Sequence, residues 1–82
     1  MPNNAYLRSR RREQNLVNEY RRAGWISARS AGSKSEVDVW ACSPTSGEVH
    51  LCQIKTKKGG RNTTKKLIWQ RGDTKFYWIT YD

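Results

Sequence analysis

No stretch of the 82-residue chain approaches the roughly 18 apolar residues of a membrane-spanning helix, so no such helix is expected. The first residues, Met1-Pro2-Asn3-Asn4, are polar and then basic, without the apolar core of a secretory leader. A reducing, cytoplasmic setting (a host cytoplasm, if a virus encodes the chain) follows as an expectation, with Cys42 and Cys52 as free thiols. Two cysteines and one histidine, His50, fall short of a zinc-binding set. Acidic residues are also scarce, 7 against 16 Lys and Arg, and the formal charge is +9. That excess points to a polyanionic partner, nucleic acid first. No basic stretch carries the strong apolar face that a membrane-surface helix needs. Hydrophobic residues make up only 35% of the chain. A domain this small buries roughly 60–65% of its unfolded surface. The core should therefore be thin, with four Trp and four Tyr supplying much of what is buried.

The order of elements reads helix, three strands, helix, strand, in one domain over residues 1–82. Residues 7–23 predict a helix: Leu16, Val17 and Tyr20 form its apolar stripe, arginines fill much of the rest, and Gly24 ends it. Strands are expected at 25–29, about 36–42 and about 48–56. A small-residue loop, 30–35, separates the first two, and a turn at Pro44-Thr45-Ser46-Gly47 the second and third. Residues 57–62 read as a basic loop, and Asn62 or Thr63 as the cap of a short helix running to about Arg71. Gly72-Asp73 turns the chain into a last strand over Lys75–Tyr81. Trp69, Phe76, Tyr77 and Trp78 are expected in the core. His50 falls on the apolar side of its strand near the turn, where no function is expected of it.

The central hairpin is the informative part. If 44–47 is a four-residue loop, Ser43 faces Glu48, Asp38 faces Gln53 and Glu36 faces Lys55. One side then carries Asp38, Trp40, Gln53 and Lys55. The other carries Val37, Val39, Ala41, Cys52 and Ile54. A slip of one residue would mix the two sets, and that penalty fixes the register. Cys42 and Cys52 point to opposite sides, which argues against a disulfide. Trp40, on the polar side, is either core beneath the helix or a platform for base stacking.

A carboxylate, an amide and an amine on one patch suit phosphodiester hydrolysis. Asp38, the Gln53 amide oxygen and the Ile54 carbonyl offer a divalent cation hard oxygen ligands. Lys55 is placed to position water or to stabilise charge on the phosphate. Glu13 borders the helix's buried stripe and can look into the same cleft. Arg8, Arg10, Arg11 and Arg12 are either a solvated face or phosphate contacts, which hold a duplex without reading its sequence.

In series, Arg11-Arg12-Glu13-Gln14-Asn15-Leu16-Val17, Gly24-Trp25, Arg29-Ser30-Ala31-Gly32-Ser33, Asp38-Val39 and Gln53-Ile54-Lys55 resemble the PD-(D/E)XK nucleases. Within them the chain is most similar to archaeal-type Holliday-junction resolvases and their viral relatives. The resemblance covers about residues 6–58. It implies an α/β, restriction-endonuclease-like domain whose mixed, mostly antiparallel sheet is flanked by helices. It also implies Mg2+, with Mn2+ able to substitute, held by Asp38, Gln53, the Ile54 carbonyl and Glu13, and water assisted by Lys55. Ser33 and Lys34 would contact phosphate, and Arg29, Lys57, Lys58 and Arg61 join the basic set. Gln53 stands where the family usually has Glu or Asp, and Val37 where the name-giving Pro would be. The expected activity is cleavage of branched DNA, four-way junctions above all, in recombination and repair, by a homodimer that makes paired cuts. Two readings stay open beside it: a restriction-like or nicking nuclease on the same scaffold, and a catalytically silent nucleic-acid-binding protein.

Overall fold

A computed structural model describes residues 4–30, 36–55 and 63–81. Helix α1 spans Asn4–Arg22 and is followed by β1 (Ile26–Arg29), β2 (Val39–Cys42), β3 (Glu48–Ile54), β4 (Thr63–Arg71) and β5 (Thr74–Tyr81). The strands form one sheet in the order β1-β2-β3-β5-β4. β3 and β5 run parallel, and the other three pairings are antiparallel. The domain is thus α/β with a mixed, mostly antiparallel sheet, as the sequence suggests.

Gly24 ends α1 at a φ of +89°. The Trp25 amide reaches back to the Tyr20 carbonyl at 3.0 Å and the Gly24 amide to Arg21 at 3.1 Å. This paired closure satisfies carbonyls that the last turn leaves open. Trp25 therefore belongs to the cap rather than to β1.

From Val39 to Ser43 the β2–β3 hairpin keeps the expected register: Val39 faces Cys52, Trp40 faces Leu51, Ala41 faces His50, and the Ser43 amide donates to the Glu48 carbonyl at 2.8 Å. The expected Asp38–Gln53 and Glu36–Lys55 pairs are not part of the ladder, and the Asp38 amide bonds to the Cys52 carbonyl instead. Both strands are shorter than their patterns suggest, and β2 begins only at Val39. α1 lies on one face of the sheet and touches β1, β2 and β3. Val17, Val39, Cys52 and Ile79 are buried together, with Leu16, Tyr20, Ile54, Tyr77 and Tyr81 packed around them. Cys42 and Cys52 are free thiols on opposite faces, as their spacing requires.

The helix expected up to Arg71 is instead strand β4. Thr63, Thr64 and Ile68 are β-branched and favour extended backbone. Gly72, at φ +60°, stands first in a two-residue loop between Arg71 and Thr74, the pattern of a type II′ hairpin turn. A bulge between Leu67 and Trp69 shifts the register and turns side chains over midway along β4. The order is therefore one helix and five strands. Among the described residues no second helix flanks the sheet, because the segment that would supply it is a strand of that sheet.

The aromatic residues of β4 and β5 also depart from expectation. Of Trp69, Phe76, Tyr77 and Trp78, only Tyr77 joins the core. Phe76 and Trp78 are half-buried and Trp69 is 47% exposed, because the face on which they stand has no helix over it. Trp40 shares that face, so it is not core beneath α1.

Candidate active site

Asp38 sits one residue before β2, where the hairpin ladder becomes irregular. Its amide donates to the Cys52 carbonyl at 2.8 Å, and its carbonyl accepts from the Ser30 amide at 2.9 Å. Its carboxylate accepts from the Ile54 amide, Oδ2 to N 2.8 Å. One acidic side chain is thereby tied to the middle of Gln53-Ile54-Lys55. From the other side β5 holds the same segment: Gln53 pairs with Thr80, Ile54 with Tyr81, and the Lys55 amide donates to the Tyr81 carbonyl at 2.8 Å. Lys55 is exposed, and Gln53 is half-buried on the face away from α1. Neither makes a side-chain hydrogen bond or ion pair among the described residues.

Glu13 approaches from α1. Burial raises its pKa above the ordinary carboxylate value, the charge of Asp38 raises it further, and Arg29 and Arg10 pull it down. Two carboxylates within electrostatic reach destabilise each other's charged form, and a bound divalent cation relieves that repulsion. Hard oxygens are the right donors for Mg2+. The fit is limited in number: among the described residues no three of His, Cys, Asp and Glu cluster together. The Ile54 carbonyl would be a further ligand. The Gln53 amide stands on the face away from α1, opposite to Glu13, and would join them only where the β2–β3 ladder ends.

The Glu13 shift has a testable sign. A carboxyl whose folded pKa is raised favours folding below its unfolded pKa, near 4.5, and loses that contribution as pH climbs through the folded value. Glu13→Gln should therefore melt higher than wild type at neutral pH without divalent metal, with the gap closing below about pH 4.5. A wild type at least as stable as Glu13→Gln at neutral pH would show that Glu13 carries no such penalty.

Beside the acids lies an open groove of about 420 Å³, lined by Arg10, Arg11, Gln14, Asn15 and Arg29. Arg12 is exposed on the same helix. Arg8 lies within α1, and Ser33, Lys34, Lys57, Lys58 and Arg61 lie outside the described residues. Nothing in the residue pattern singles out Gln14 and Asn15 for this role. They reach the groove because each stands four residues after Arg10 or Arg11, on the same face of the helix.

Another polar network stands under α1. The His50 ring is flanked by Tyr20, Trp25 and Tyr77. Burial lowers its pKa, so the ring is neutral, and its 3.4 Å contact with Glu48 is a hydrogen bond from Nε2 rather than an ion pair. Nδ1 is then free to accept from the Tyr20 hydroxyl at 2.9 Å. This network satisfies buried polar groups and anchors α1 to β3.

No family profile, curated protein or solved structure matches the chain. Among the described residues, no helix is long and apolar enough to cross a membrane.

Proposed function

We propose that the chain is a metal-dependent DNA endonuclease of PD-(D/E)XK type that acts on branched DNA, four-way junctions first. The observation that carries this reading is the 2.8 Å bond from the Ile54 amide to Asp38, which fixes a carboxylate to the Gln53-Ile54-Lys55 segment, with Glu13 within electrostatic reach of Asp38. Asp38, Glu13, the Gln53 amide oxygen and the Ile54 carbonyl would hold the cation. A bound Mg2+, or Mn2+ in its place, would supply Lewis-acid stabilisation of phosphate charge and a more acidic water. Lys55, exposed at the end of β3, orients that water or meets the developing charge. The Arg10–Arg11–Arg29 groove receives neighbouring phosphates. Paired incisions take two copies of the chain, and the DNA offsets the repulsion between two chains of charge +9.

One observation favours a second reading. With two carboxylates among the described residues and a neutral Gln53, the site has less anionic charge than Mg2+ usually meets, as in a nucleic-acid-binding protein without catalysis. A panel of labelled four-way junction, duplex and single strand, each with Mg2+ or Mn2+, separates the readings. Junction cleavage well above duplex cleavage is expected, with Lys55→Ala slower by roughly 100-fold or more at unchanged DNA affinity. Equal cutting of duplex and junction would leave a nuclease that is not a resolvase. Binding without any cutting would leave the silent binder.

A further inference from the structure

The sheet has two faces, and only one is covered. All the buried apolar side chains of the sheet, Val39, Ala41, Cys52 and Ile79, point toward α1. On the other face no residue is buried, and among the described residues no element packs there.

Strand register arranges that open face in rows. One row runs Ile26, Cys42, Val49, Phe76, Trp69 across all five strands. The next runs Ala28, Trp40, Leu51, Trp78, Lys66. A third, polar row holds Gln53, Thr80 and Thr64. Trp69 stands edge-on to Phe76, with ring centroids 5.2 Å apart. The strand positions of this face carry Lys66 and Arg71 and no Asp or Glu.

Two occupants suit an apolar, aromatic sheet face: a second copy of the chain, or unpaired bases. Charge decides between them. Bringing two chains of +9 together sheet to sheet is opposed by their net repulsion, and no acid on the strands of this face offsets Lys66 and Arg71. A nucleic-acid strand reverses that balance: phosphates meet the two cations while bases stack on the rings. The bases must be unpaired, because those of a duplex already stack on one another and present only their edges.

We infer that the open face, centred on Trp40, Trp78, Phe76 and Trp69 and edged by Lys66 and Arg71, binds single-stranded nucleic acid by base stacking. On this face β3 runs Val49, Leu51, Gln53 and leads to Lys55, so a strand on the platform is delivered to the proposed cleavage site. That delivery rests on the nuclease reading, whereas binding to the platform does not.

The test titrates the full chain with oligothymidylate and follows tryptophan fluorescence. Three of the four Trp face the platform, so strong quenching is expected. An abasic deoxyribose-phosphate strand of equal length should bind weakly and quench little. Trp69→Ala, at an exposed edge position, should weaken binding roughly 5- to 150-fold. Lys66→Glu should weaken it and flatten its salt dependence. Lys75→Glu, the same charge change on the helix side, should leave it within about twofold of wild type. Circular dichroism confirms that each variant folds. Equal quenching by the abasic strand, equal loss in Lys66→Glu and Lys75→Glu, or no quenching would overturn the platform. So would sedimentation showing a free dimer whose tryptophans no oligonucleotide reaches. Asp38→Asn keeps the two claims apart: it should quench like wild type while failing to cut. Duplex or junction cutting without single-strand quenching sinks the platform alone, and quenching without cutting sinks the nuclease alone.

Discussion

Asp38→Ala is expected to abolish Mg2+-dependent DNA cleavage, a fall of about three orders of magnitude or more. The size follows from the position of Asp38. Its carboxylate is the only charged group bonded directly to the Gln53-Ile54-Lys55 segment among the described residues, and Glu13 feels its charge. Removing it takes away the best candidate cation ligand and leaves Gln53, a neutral amide, as the main oxygen donor on β3. The alanine also strands the Ile54 amide without its acceptor, a structural loss of about 1–3 kcal/mol. Asp38→Asn separates the two effects. Its amide oxygen can still accept from Ile54, so the fold should hold, while the missing charge should keep cleavage as low as in the alanine variant. If Asp38→Asn cut at near wild-type rate, the carboxylate would have no part in catalysis. Gln53→Glu should move the other way and lower the Mg2+ concentration needed for half-maximal cleavage.

Gly47→Ala is expected to be the most damaging small substitution for stability, at about 2–3 kcal/mol. Gly47 closes the β2–β3 hairpin at φ +75°, a conformation that costs a side-chain-bearing residue about 1–2 kcal/mol. Space adds to the cost. A Cβ at Gly47 would lie 2.8 Å from the Asp73 carbonyl oxygen, which belongs to the backbone of the β4–β5 turn and cannot swing aside. The two turns are also joined by the Lys75 amide donating to the Gly47 carbonyl at 3.2 Å. For a domain of this size such a loss lowers the melting temperature by roughly 10–20 °C. Gly24→Ala is the control. Gly24 has a φ of +89° but nothing within 4 Å of a Cβ, so it should lose only the conformational share, about 1 kcal/mol. Equal melting temperatures for the two variants would mean that the close approach of the turns costs nothing.

The β2–β3 hairpin was legible because several weak signals agree there. Val39 and Ala41 alternate with polar or large neighbours, Cys52 and Ile54 mirror them, and Pro44 to Gly47 is a turn in any context. The placement of Glu13 near Asp38 follows from its position one turn before Val17, the helix residue most deeply buried against β2 and β3. β4 hid itself for a physical reason. The bulge at Ile68 moves the outward set from Thr64 and Lys66 to Trp69 and Arg71, so no period of two survives along the strand. Leu67-Ile68-Trp69 then reads as a short apolar run that a helix explains as well. A sheet in an α/β domain is usually covered on both faces, which is why the aromatic residues of β5 read as core. With β4 a strand of the sheet, nothing was left among the described residues to cover the second face. The tie between Asp38 and the Ile54 amide needed the irregular end of the ladder, which no residue pattern announces.

The most direct test of the endonuclease reading is incubation of the purified wild-type chain with an end-labelled four-way junction that it demonstrably binds, with and without Mg2+. Incision that needs the metal, stops on chelation and is absent in Asp38→Asn is the expected result. A folded, junction-bound wild type that makes no incision with either Mg2+ or Mn2+ would contradict it.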